Sequence, residues 1–218
     1  MKSVHTVLIA MAIVLVSACN DSSSTSKQTE TSKTDTVVTA ATAPATNAPV
    51  VGSPATTTHK TATGKTFTVT ESHPKGASLS NITVKFNGSA DSTLKVELND
   101  VDPINKVMTY DLDSDGFEEI YIVTISAGSG SGAHIYGYAS NKDKSMSEVF
   151  VPAIEEKDLA KGGNFEGYEG HDQIELVENS LMRNFPIKAP NVTTRSVNYK
   201  MKKGEAGYVL VVKNSTAF

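Results

Sequence analysis

The stretch KVMTYDLDSDGFEEIYIVTIS, residues 106–126, decides the fold. From Ile120 to Ile125 every position is apolar or β-branched, which predicts a central strand covered on both faces. Lys106 to Leu112 reads as its hairpin partner. Between them Asp113-Ser114-Asp115-Gly116 supplies the turn: aspartates bond to nearby backbone amides, and glycine takes a left-handed position.

Working outward, period-two alternation dominates. Phe67 and Val69 alternate with threonines, Ile82, Val84 and Phe86 with Thr83 and Lys85, and Leu94, Val96 and Leu98 with Lys95 and Glu97. Each pattern is that of a half-buried strand. Further strands are expected at 133–139, 173–178, 181–185, 194–201 and 208–213, with Asn179-Ser180 and Lys203-Gly204 at hairpin turns. Helical period is weak; only Ile154 to Ala160 suits a turn or two. About nine or ten short strands with regular turn signals predict an all-β domain, an antiparallel β-sandwich or a barrel, over residues 64–218.

The N-terminal region reads differently. Val7 to Val16 is an unbroken apolar run, too short for a membrane span and suited to the core of a signal peptide over residues 1–18. It closes on Val16-Ser17-Ala18-Cys19, which resembles the lipobox of bacterial lipoproteins. There the cysteine thiol receives the lipid, and Cys19 is the single cysteine of the chain. Residues 20–63 contain no aromatic residue and no Leu, Ile or Met, so residues 19–63 read as a lipidated cysteine and a disordered tether. Asn20, in place of the aspartate that retains enteric lipoproteins in the inner membrane, directs the expectation to the outer membrane, facing the periplasm or the cell surface.

Charge is unevenly placed. Residues 91–178 hold 19 acids against 6 bases, whereas residues 179–218 hold 7 bases against 1 acid. The acidic middle argues against nucleic acid as a partner and favours a cationic one.

Three segments are candidates for chemistry. Asp111, Asp113 and Asp115, with Gly116 following, begin like a calcium loop, because alternating carboxylates converge on a hard cation. Position twelve is Ile122 where a bidentate Glu belongs, and a hydrogen-bonded β-turn explains the same residues. No cofactor is expected, with calcium as the alternative. Ser126-Ala-Gly-Ser-Gly-Ser-Gly132 lies between two strands, so no helix N-terminus is available for a phosphate, and the central residue of Gly128–Gly132 is Gly130, not a serine nucleophile. What remains is a slim protruding loop that donates hydrogen bonds without charge, or an ordinary hairpin tip. Gly170-His171-Asp172 supplies two members of a hydrolytic triad, an arrangement common by chance in a serine-rich chain.

Several segments together resemble the periplasmic inhibitors of invertebrate-type (i-type) lysozyme. They are Val101-Asp102-Pro103; Asp111-Leu112 with Asp115-Gly116; Ile120 to Ser131; Gly167-Tyr168-Glu169-Gly170-His171-Asp172; Leu181 to Ile187 with Arg183 and Phe185-Pro186; Thr194-Arg195 with Val197 and Tyr199; and Gly204-Glu205-Ala206-Gly207. The ordered set covers most of residues 79–213. The resemblance implies a β-sandwich, often a homodimer, that binds lysozyme and carries out no reaction. It implies that the loop holding Ser129, Gly130, Ser131 and Gly132 enters the lysozyme cleft, where two catalytic carboxylates lie roughly 5–9 Å apart. This chain departs from the family at Gly132, where a tyrosine is the rule. Tyr136, on the next strand with His134 and Tyr138, is the aromatic that would substitute.

Overall fold

The computed structural model describes residues 53–88 and 94–218, so the signal peptide and Cys19 lie outside the described residues. The described residues fall in one unit, Thr46–Phe218. They form the strands β1 (Ala55–Lys60), β2 (Thr66–Ser72), β3 (Ser80–Asn87), β4 (Lys95–Val101), β5 (Ile104–Tyr110), β6 (Glu119–Ile125), β7 (Ala133–Ser140) and β8 (Met146–Phe150). After a single helical turn, α1 (Glu156–Leu159), come β9 (Gln173–Val177), β10 (Ser180–Pro186), β11 (Thr194–Lys203) and β12 (Tyr208–Ala217).

Two sheets result. One has the order β1-β2-β3-β4, the other β5-β6-β7-β8-β12-β11-β10-β9. All pairings are antiparallel except β8 with β12, which run parallel with Tyr208 opposite Val149. The all-β expectation holds, while the larger sheet departs from a flat sandwich layer. It curls until its edge strands face each other: Lys106 Nζ donates to the Ile174 carbonyl at 3.0 Å, and the Tyr110 hydroxyl donates to Asn179 Oδ1 at 2.9 Å. The sheet is a near-barrel.

The central strand explains the layering. Tyr121 and Val123 of β6 point into the barrel, beside Leu181, Phe185, Val197 and Leu210. Ile120 and Ile122 point out of it and meet Phe67, Val69, Ile82, Val84 and Phe86 of the smaller sheet. One strand thus serves two cores, which is why it carries no polar alternation. Gly137 opposite it allows a close approach. A Cβ there would stand 2.9 Å from Val149 Cβ and 3.1 Å from the Tyr121 ring.

Two strands escape the sequence pattern. β1 falls inside the stretch read as tether, so the folded part begins by Ala55 and not at Gly64. Its residues are ATTTHK with almost every side chain exposed; it is held by backbone pairing to β2, with no hydrophobic face to read. β8 buries one residue, Val149. The β9–β10 hairpin turns at Glu178 and Asn179, both with positive φ (44° and 59°), as the tight primed hairpin turn requires.

Candidate functional site

The loop joining β6 to β7 is closed at its base by the Ser126 amide donating to the Gly132 carbonyl, 3.2 Å, and within by the Ser131 amide donating to the Gly128 carbonyl, 3.1 Å. Ala127, Gly128, Ser129 and Gly130 are exposed, whereas Ser131 and Gly132 are half-buried. Among the described residues the amides of Ser129, Gly130 and Gly132 have no acceptor within the chain. Ser131 takes a left-handed conformation (φ 38°), and its hydroxyl turns back onto the Gly128 carbonyl at 3.3 Å. The outward donors at the tip are therefore the Ser129 hydroxyl and the free amides.

The loop does not project alone, as a bare hairpin tip would. It leans on the turn 167–172. The His171 amide donates to the Gly130 carbonyl at 3.0 Å. Gly170, with φ +88°, comes so close that a Cβ on it would lie 1.6 Å from that oxygen. Only glycine fits there.

Beneath this contact lies a buried ion pair. Arg183, from β10, donates through Nε to Asp172 Oδ1 and through Nη2 to Oδ2, both at 2.8 Å. The same carboxylate accepts the Ala133 amide at 2.8 Å and the Tyr168 hydroxyl at 2.7 Å. Arg183 Nη2 also donates to the Ala133 carbonyl, 3.1 Å, and to the Tyr168 oxygen, 2.8 Å. Burial disfavours the Arg183 charge, but the Asp172 hydrogen bonds and charge outweigh it and hold the guanidinium well above its ordinary pKa. The group stacks over the Phe165 and Tyr168 rings, 5.7 and 5.2 Å from their centroids. Burial, then the bond to Asp172, raises the Tyr168 phenol to about 12.

Tyr136 sits half-buried on the face of β7 turned towards the smaller sheet, beside Ile104 and Val107. Burial foremost, then the neighbouring Asp102 charge, raises its phenol pKa. A different aromatic stands at the loop base. The Tyr168 hydroxyl lies 3.5 Å from where a Cβ on Gly132 would be. The sequence separates these residues by 36 positions, so no local pattern joins them. A cavity of about 410 Å³ opens on the same side, walled by Ala133, Ile135, Val151, Pro152, Ile154 and Tyr168.

The Gly170-His171-Asp172 segment forms no triad. Asp172 is committed to Arg183, Tyr168 and Ala133, and the exposed His171 ring makes no hydrogen bond among the described residues. A serine and a histidine do meet elsewhere: Ser80 Oγ lies 3.2 Å from His73 Nδ1. Ser80 is fully buried and donates instead to Glu71 Oε1 at 2.6 Å, which also accepts the Ile104 amide at 2.8 Å. That cluster ties the corner between the two sheets.

The acidic turn is richer than its sequence implied. Ligand-type oxygens of Asp111, Asp113 and Asp115 gather within 4.8 Å of one another and of Glu119, which is buried. Backbone amides satisfy much of the cluster: Asp115 and Gly116 donate to Asp111 at 3.0 and 2.9 Å, Phe117 to Asp115 at 2.9 Å, and Leu112 to Glu119 at 2.8 Å. Burial foremost, against the Leu112 bond and with the three aspartate charges added, lifts the Glu119 carboxyl to about 8.

Comparison of the chain with family models, with curated proteins and with solved structures finds no match.

Proposed function

We propose that this protein is a lysozyme inhibitor that presents the 126–132 loop to the active-site cleft of an i-type lysozyme and acts by binding alone, with no reaction of its own. One observation carries the reading: an exposed, uncharged tip at Ser129 and Gly130, rich in free amides, rests on a buried scaffold. Such a tip enters a narrow groove and donates to its catalytic carboxylates without bringing a competing charge. The acidic excess of residues 91–178 supports steering towards a cationic enzyme. In the same proposal Cys19 carries the lipid anchor, the domain sits at the outer membrane, and the protein protects peptidoglycan. Among the described residues no helix is long and apolar enough to cross a membrane.

The test is a lysis assay with i-type, c-type and g-type lysozymes, wild type against Ser129→Trp. Inhibition of the i-type enzyme that is lost in the variant supports the proposal; no inhibition of any class rejects it.

A second reading, a calcium-stabilised cell-envelope binding or adhesion module, is favoured by the convergence of Glu119 on Asp111, Asp113 and Asp115. Oxygens alone, in that number, suit a hard cation. Calorimetry in calcium and in EDTA separates the readings: an unchanged melting temperature removes the metal.

A further inference from the structure

We infer that Asp172, Arg183, Tyr168 and Gly170 are positioning residues that hold the 126–132 loop in one shape before any partner arrives. The inference rests on the inhibitor reading only for what the loop binds. It stands on where β7 loses its neighbour. β8 pairs with β7 from Gly137 to Ser140 and no further, so among the described residues no strand adjoins the edge of Ala133 that faces β8. The side chains of Asp172 and Arg183 take that place. One accepts the Ala133 amide and the other donates to the Ala133 carbonyl, the two bonds a neighbouring strand would make. Three residues earlier the turn 167–172 grips the loop again, through the His171 amide on Gly130 and the close approach of Gly170. Two grips bracket a loop with glycine at 128, 130 and 132, a composition that samples many conformations when left free.

Holding the loop ready has a kinetic signature. When only a fraction of molecules carries the binding shape, apparent affinity falls by that fraction. A partner that binds only the ready shape then associates more slowly, while its complex, once formed, dissociates as before. Loss of a direct contact acts mainly on dissociation.

The experiment uses the full chain with Tyr168→Phe and Gly170→Ala, both of which leave the ion pair in place. Amide hydrogen exchange is followed at Ser131 and Ala133, with Ile122 and Val84 as core references. Losing the Tyr168 hydroxyl accelerates exchange at both loop positions about fivefold, and the clash from Gly170→Ala by about tenfold or more, with the references unchanged. Association with i-type lysozyme slows in proportion to the fall in the ready fraction, at constant dissociation rate. Unchanged exchange at Ser131 and Ala133 in both variants, or acceleration only in step with Ile122, overturns the inference. A wild-type protein that fails to bind lysozyme while the loop loosens as stated removes the inhibitor reading and leaves the positioning role standing.

Discussion

Asp172 and Arg183 meet in a two-bond fork, 2.8 Å on each leg, with the Asp172 side chain wholly out of solvent and that of Arg183 8% exposed. A buried pair is costly to break from one side, because the surviving charge is left without a partner. Asp172→Asn and Arg183→Met should each destabilise the domain by about 3–5 kcal/mol. The double variant should lose clearly less than the sum. Urea denaturation of the four proteins in a mutant cycle checks this, and simple additivity would mean that the fork carries no coupling.

Glu119 gives the domain a pH dependence of defined sign. Its carboxyl rises from 4.5 to about 8 on folding, chiefly through burial and then through Asp113, Asp111 and Asp115, against the pull of the Leu112 amide. The fold therefore favours the protonated acid. The associated stability is complete below about pH 4.5 and is lost as pH rises through 8. Melting temperatures taken between pH 5 and 9 should fall across that window, and Glu119→Gln should flatten the fall.

Gly137 predicts the cost of filling a close contact between strands. With Val149 Cβ at 2.9 Å and the Tyr121 ring at 3.1 Å from an added methyl, Gly137→Ala should cost about 1–3 kcal/mol. Chemical denaturation measures it. A neutral result would mean that β7 and β8 separate freely.

Electrostatic steering predicts a salt effect on rate. The acidic excess over residues 91–178 should give an association rate with a cationic lysozyme that drops as ionic strength rises past about 0.1 M, where the Debye length is near 10 Å. Dissociation should change little. Stopped-flow or biosensor traces across a salt series check this, and equal association rates at low and high salt would remove steering.

Much of the fold was legible. Ile120 to Ile125 announced a strand buried on both faces, because every position in it is apolar or β-branched, and Ile120 and Tyr121 indeed belong to different cores. The alternation around Ile82, Val84 and Phe86 appears as the buried rungs of β3. β1 was not legible, since its threonines bury no face and it is attached to β2 by backbone pairing and an exposed hydroxyl contact, Thr56 Oγ1 to Thr70 Oγ1 at 3.0 Å. Nor was the curl of the larger sheet, which brings Lys106 to a carbonyl 68 residues away.

The candidate site divides along the same line. Composition alone marked 126–132 as a glycine- and serine-rich loop between strands, and marked Asp111, Asp113 and Asp115 as a turn. That Glu119 closes on those aspartates, that Tyr168 stands beside Gly132, and that Asp172 and Arg183 stand in for an absent strand at Ala133 are products of the tertiary structure. The physical reason is range. Strand periodicity and turn chemistry are set by neighbours within a few residues and are written along the chain. The pairing of buried charges is set by which segments the two cores bring together, and no local pattern carries that information.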